Sequence, residues 1–403
     1  MTLNEKVIDK LWTKNFVFIC IANFMSSFSF YLLMPTLPFY LIDNLNTNNT
    51  MVGFVLSCFT IAVLFVRPFS GFLADTFSRR PIYLIAYFLF SSIFVGYLLA
   101  GTLTLFIMFR IFHGFAFGTL STTGNTLVID IMPASRRGEG LGYYGVTSNL
   151  AMATGPMVGL LLKDNVDFDW IFLSSIFSGI IGFFFAYLVK APKKFCQKKL
   201  PLSLDRFFLI KGIPAGIVFA FIAVPYAITT SYIALSAQEY GMKTNSGIFF
   251  SIMAVGMILS RVTSGKRVDK GYIIQGITKG IALSLCGFIG EVFLEPTFLW
   301  DQTVGTVLFY VIPIFIGYGY GTIFPALNSL FLNLAHNNRR ATANSTYLTS
   351  WDVGMGAGVY LGGYLSEIRG FSFSYLAGAL LALLSFGIFV RIVIPHFNKN
   401  KLR

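Results

Sequence analysis

The stretch RPFSGFLADTFSRRP, residues 67–81, sets an arginine, an aspartate and a pair of arginines among apolar neighbours. Its flanks decide how it reads. The runs 51–74 and 81–101 on either side are almost wholly apolar, and about 20 such residues suffice for a helix to cross the hydrocarbon of a bilayer. A charged island between two membrane-length runs is a tight turn at a membrane face. Composition agrees: of 403 residues 55% are hydrophobic, 17% aromatic and only 12% charged, about half the charged share of a soluble domain.

The same reading along the chain predicts an all-α membrane protein of twelve spans, near 15–42, 51–74, 81–101, 103–132, 139–162, 169–190, 207–237, 245–265, 272–294, 300–333, 341–365 and 371–395. The first run has no small-residue cleavage pattern and is expected to remain as a span. With the amino terminus inside, 24 of the 30 Lys/Arg fall in cytoplasmic segments, as basic segments resist translocation. Only Lys163, Lys243 and Arg369 lie outside, while Arg67, Arg110 and Arg261 lie within or at the ends of spans. Both termini are therefore expected inside a cell inner membrane. Basic residues placed in this way account for the net charge of +13 without nucleic acid. The four cysteines have no paired spacing, so neither a disulfide framework nor a metal site is expected, and no cofactor is called for.

The opening segment has an echo in RVTSGKRVDKG, residues 261–271. Arg67, Ser70, Gly71 and Asp75 recur at one offset as Arg261, Ser264, Gly265 and Asp269. A second set recurs at its own constant offset: GFAFGT (114–119) with GYGYGT (317–322), the arginine pair 136–137 with 339–340, and Gly155 and Gly159 with Gly358 and Gly362. Two six-helix halves of one design follow, 1–191 and 207–403, joined by a basic cytoplasmic linker at 192–206. Parallel halves of this kind are a transporter architecture with the substrate site near the midplane between them. GYGYG and GEGLG follow no strand, so helix packing explains them better than nucleotide binding. With no Walker sequence, the energy source must be an ion gradient or the substrate's own.

GFLADTFSRR, with Gly71, Asp75, Arg79 and Arg80, resembles the helix 2–3 signature of the major facilitator superfamily, departing from it at Thr76 and Ser78. The resemblance implies a cytoplasmic gate in which these charges, Asp269 of the second copy and Asp130 at the end of helix 4 hold the outward-open state. Asp75 would accept from the free N–H groups of a neighbouring helix start, and Arg79 and Arg80 would pair with a carboxylate such as Asp130. RIFHGFAFG resembles the family's helix 4 motif. On helix 5, Gly142, Gly155, Pro156 and Gly159 match the motif of the family's antiporters, although Ala151 and Leu160 stand where it has glycine. That motif implies export, with small residues packing closely against a helix of the other half.

For coupling, Asp352 lies about 17 Å into helix 11, and Arg110 and His113 lie about 10 to 15 Å into helix 4, all near the midplane. Asp352 is expected to carry the coupling proton, with Arg110 or His113 setting its charge state; a structural Asp and a satisfied His are the plainer readings. Asn23, Ser27 and Tyr31 share a face of helix 1, Tyr226 and Thr229 one of helix 7, and Tyr320, Phe324 and Asn328 one of helix 10. The resemblance implies that these helices line the pocket, and interhelix packing is the alternative for each residue. The expectation is a monomeric, proton-coupled exporter of small amphipathic compounds and not an enzyme. The alternatives are a carrier of sugars or other polar solutes, a lipid flippase, or a non-transporting receptor.

Overall fold

The computed structural model describes residues 10–133, 136–191, 208–269, 271–336 and 339–402, apart from the side chains at 75, 138, 262, 264–269, 340 and 341. The linker expected at 192–206 lies outside the described residues. In chain order the helices are α1 (Lys14–Leu33), α2 (Leu37–Asp43), α3 (Asn49–Thr76), α4 (Arg79–Leu99), α5 (Leu103–Ile131), α6 (Arg137–Lys163), α7 (Phe168–Leu188), α8 (Ile213–Glu239), α9 (Ser246–Asp269), α10 (Ile273–Val292), α11 (Leu294–Trp300), α12 (Gln302–Asn333), α13 (Arg340–Arg369), α14 (Phe371–Ile388) and α15 (Ile394–Asn400). No strand occurs among the described residues. Ten stretches among the described residues are long and apolar enough to cross a membrane, which makes this an integral membrane protein. Of the other two long helices, α9 has a shorter apolar stretch, Ser246–Arg261, and α13 is diluted by the small polar run TANSTYLTSWD.

Local chemistry sets where the helices start and break. Asn48 caps α3 by accepting from Met51 N at 2.9 Å, and Thr102 caps α5 by accepting from Leu105 N at 3.4 Å. Asn245 and Asp301 do the same for α9 and α12; each satisfies backbone donors that a helix start leaves open. The expected first span is broken at Met34–Thr36 into α1 and α2. Pro35 and Pro38 remove two donors there, and the Thr36 hydroxyl donates to Leu33 O at 3.1 Å. The last span passes through a π-helical turn, Phe389–Val393, just ahead of Pro395.

Polarity runs opposite to that of a soluble protein. Ile61, Phe65, Ile85, Phe177, Phe184 and Leu383 face outward, whereas hydroxyls are buried between helices. Ser178 donates to Met25 O at 3.1 Å, Ser374 to Gly362 O at 2.9 Å and Ser385 to Val218 O at 2.9 Å, the interhelical hydrogen bonding that lipid-embedded bundles use.

Helix α1 packs on α6 and α7, α3 on α5, and α4 on α5 and α7. The same set recurs downstream, α8 on α13 and α14, α9 on α12, and α10 on α12 and α14. Glycines make the closest of these approaches: a Cβ on Gly114 would lie 2.3 Å from Phe59 O, and one on Gly317 would lie 2.1 Å from Met253 O. GFAFG and GYGYG are thus equivalent seams, α5 on α3 and α12 on α9. Between the two sets, α3 meets α13 and α6 meets α9.

Candidate functional site

The seam between residues 10–191 and 208–402 is tight at one end only. There Asn49 N donates to Glu367 Oε2 at 2.9 Å and Lys163 Nζ reaches Gln238 Oε1 at 3.5 Å. A Cβ on Gly53 would meet Tyr360 O at 3.0 Å, one on Gly363 would meet Asn49 O at 2.2 Å, and one on Gly247 would meet Met157 O at 3.2 Å. Further along, a Cβ on Gly356 would meet the Thr60 side chain at 2.8 Å. Beyond that, Arg67 on α3 pairs with Asp352 on α13. Past the ion pair a Cβ on Gly71 of α3, or on Gly142 or Gly145 of α6, would meet nothing within 4 Å. The seam is closed from the end holding Asn49 and Glu367 down to Arg67–Asp352, and open beyond.

Both partners are placed by helix length. Arg67 stands eighteen residues after the capped start of α3, about 27 Å along it. The antiparallel α13 brings Asp352 to the same level. Their side chains are 9% and 15% exposed. At such burial each charge is tolerable only through the other, and removing one partner of a buried pair is worth about 3–5 kcal/mol.

The expectation that Arg110 or His113 stands beside Asp352 is corrected. Arg110 Nη2 donates to Leu56 O at 3.3 Å, its guanidinium lies 4.7 Å from the Phe59 ring centre, and Tyr97 is within its electrostatic reach. Tyr97 in turn meets His113 Nδ1 at 2.8 Å, and Phe59, Phe90 and Phe94 enclose the imidazole. Sequence depth placed all three groups at one level; the faces of α5 turn Arg110 and His113 into the bundle formed with α3 and α4.

The expected pocket residues divide. Asn23 donates to Thr147 Oγ1 at 2.8 Å and Ser148 Oγ at 2.7 Å, tying α1 to α6; Tyr31 sits against Gly155, half-buried, and Ser27 is buried. Tyr226, Thr229 and Tyr320 are completely buried. The Tyr226 and Tyr320 rings lie 4.4 Å apart, and the Tyr320 hydroxyl donates to Ile222 O. These three are packed inside this conformation and do not line its opening. Phe324 is 4.9 Å from the Trp351 ring and Asn328 is half-buried. Trp351, missed in the sequence and one residue before Asp352 in α13, also touches Phe219 at 5.2 Å and Tyr226 at 5.3 Å. A recess of about 320 Å³ lies apart from it, at the closed end between Phe39, Lys163, Asp164 and Gln238.

At the open end, Arg79 Nη1 meets Asp130 Oδ1 at 2.6 Å and Thr126 O at 3.2 Å, while its Nε donates to Ala74 O at 3.1 Å. This joins the ends of α3, α4 and α5. Arg80 departs from expectation: it donates to Tyr187 O and Val189 O, both at 2.7 Å, and so neutralises the carbonyl end of α7 instead of a carboxylate. Asp75 and Asp269 belong to α3 and α9, and their side chains lie outside the described residues. Gly71 meets no neighbouring helix because the ends are splayed.

The helix 5 expectation is also corrected. Gly155 and Gly159 pack on α1 of their own bundle, a Cβ on Gly159 falling 2.1 Å from Leu32 O, and Gly142 faces open space. It is Met157 and Leu161 that meet Gly247 of α9. Gly and Pro cluster on the α1 side because that is where the backbones come closest. A buried acid was missed as well. Glu291, placed at a span end by hydropathy, is 1% exposed.

The comparisons bear on the whole chain. The Major Facilitator Superfamily profile matches residues 19–359. The staphylopine export protein of Staphylococcus aureus is 21% identical over 84% of this chain and 86% of its own length. The quinolone resistance protein NorA of Staphylococcus aureus is 24% identical over the same shares. Among solved structures, a D-xylose-proton symporter superposes with a TM-score of 0.77 at 16% identity, covering 98% of this chain and all of the other. A helical seam closed at one end around an interior ion pair, a matching profile and relatives of this kind agree: the chain is a transporter, not an enzyme, and belongs to the Major Facilitator Superfamily.

Proposed function

We propose that this protein exports small amphipathic organic compounds in exchange for protons, by alternating access between two six-helix halves that together make twelve spans. The observation that carries the reading is the Arg67–Asp352 pair, which joins the halves at the level where their seam changes from closed to open. A proton on Asp352 removes the charge that Arg67 answers, so proton binding and the hold between α3 and α13 are linked. A cationic amphipathic substrate competes for the same carboxylate, and the half-buried Trp351, next to it along α13, offers a cation–π face. Substrate and proton then exclude one another, as exchange requires. The recurring helix pairs support the two halves, and the positive-inside distribution supports a cytoplasmic open end in the cell inner membrane, with both termini inside. Arg79–Asp130 serves as part of the gate at that end, with Asp75 and Asp269 in the roles the family resemblance gives them. The export-named relatives support the direction.

A second reading, a carrier of polar solutes, is favoured by the half-buried hydroxyls and amides Ser121, Asn125, Ser148, Asn328 and Ser345 towards the open end. Everted membrane vesicles separate the two. Ethidium, a hydrophobic cation, is expected to accumulate when a pH gradient is imposed and to leak when it is collapsed, and Asp352→Asn is expected to abolish accumulation while retaining downhill movement. Gradient-independent behaviour of the parent would sink the proton-coupled reading.

A further inference from the structure

Glu291, one residue from the end of α10, has no part in the seam between the halves. It is buried inside the downstream bundle, its Oε1 without a hydrogen-bond partner, and the described ion pairs do not include it. A hydroxyl in electrostatic reach of it is that of Thr229 on α8. Thr229 Oγ1 also lies 2.9 Å from Pro225 O. A threonine has a single hydroxyl proton. A protonated Glu291 can donate to Thr229 while Thr229 donates to Pro225, and both needs are met. If Glu291 is ionised, only one is, and a carboxylate stays buried without a cation, which is expensive.

The surroundings lead outward and inward. Towards the closed end, Ser372 Oγ donates to Glu295 Oε2 at 2.5 Å and lies 3.1 Å from Tyr240 Oη, and Glu239 is within electrostatic reach of Glu295 and Glu367. Tyr375, 2.7 Å from Ser236 Oγ, is in reach of both Tyr240 and Glu291. Towards the centre, Tyr226 keeps a buried hydroxyl without a partner and touches Trp351, next to Asp352. The titratable groups around Glu291 are therefore Tyr240 at the end of α8, Tyr320 on α12, Tyr375 on α14 and, through Tyr240, Glu295 on α11. Among the described residues no Lys or Arg pairs with it.

We propose that Glu291 is a proton-binding site, the buried station of a polar line that runs from the acidic closed end through the downstream bundle towards Asp352. It takes up one proton as a carboxyl and returns it as a carboxylate, with no net change after a cycle. This rests on the proton-coupled reading and adds a second titrating group to it.

Infrared spectra of the purified full-length protein in lipid test it without any substrate. The parent is expected to show an un-ionised carboxyl band that fades as the medium is made alkaline. Glu291→Gln, which keeps the side chain's size, is expected to lose that band, and Asp352→Asn to retain it. A band unaltered in Glu291→Gln, or a Glu291 band present at every pH, overturns the proposal, the latter marking a permanently neutral structural acid. Thermal melting of Glu291→Gln close to the parent's confirms that the fold is intact. Failure of ethidium accumulation in the parent would remove the proton-coupled reading and leave the infrared result to decide whether Glu291 titrates.

Discussion

Arg67 of α3 and Asp352 of α13 form an ion pair across the two helical bundles. By the repeat, the equivalents of Arg67 and Asp352 are Arg261 on α9 and Asn149 on α6. At these two positions one seam thus carries an arginine and a carboxylate, the other an arginine and an amide, so the repeat is broken at a titratable group.

Removing one side of that pair is expected to destabilise the protein more than removing both. Arg67→Ala and Asp352→Ala should each cost about 3–5 kcal/mol, with the double variant well short of the sum. Thermal melting in detergent measures the cycle; additive losses would mean that the pair contributes no coupling.

At the open end, Arg79→Ala and Asp130→Ala are expected to be non-additive by about 1.5–3 kcal/mol, the range for a charged hydrogen bond. Asp130→Asn should lower ethidium transport while surface labelling shows normal insertion. Full activity in Asp130→Asn would reduce Arg79–Asp130 to a structural tie.

Gly317→Ala is expected to lower stability by about 1–3 kcal/mol, because its new methyl meets Met253 O at 2.1 Å and backbone cannot give way cheaply. Gly387→Ala, with nothing within 4 Å, is the control. Equal melting temperatures for the two would show that the α12–α9 seam is looser than described.

A disulfide should lock this conformation. Thr60→Cys with Gly356→Cys, in a background where the four native cysteines are serine, brings two β-carbons to about 3.0 Å, short of the usual ~3.8 Å but within a small helix shift. Spontaneous cross-linking and loss of transport that a reductant reverses are expected. Transport unaffected by complete cross-linking would show that this seam never opens.

Much of the fold was legible because hydropathy and the repeat report on whole helices. Residues 246–269 and 340–369, the weakest in hydropathy, were placed as spans near 245–265 and 341–365 by their apolar runs, and the echo of Arg67 and Asp75 and of Gly155 and Gly159 then related them to the first half. The site was less legible. Depth along a helix follows from counting residues, but azimuth does not: Arg110, His113 and Asp352 share a depth, yet α5 turns the first two away. Arg67 was read as a charge at a span end because nothing local says that α13 lies opposite. Glu291 was hidden for a related reason, since a span end in sequence is still interior when α8, α12 and α14 enclose it.

The uncrowded glycines at the open end bear on how this protein can be engineered. Judged on this shape alone, Gly71, Gly142 and Gly145 are defects, each worth about 0.5–1 kcal/mol in favour of alanine within a helix. A thermostability screen would therefore select their replacement. In an alternating-access cycle the same faces must later close on each other, where added methyl groups would obstruct. The most heat-resistant variants from such a screen would be arrested carriers, suited to crystallisation and useless for transport.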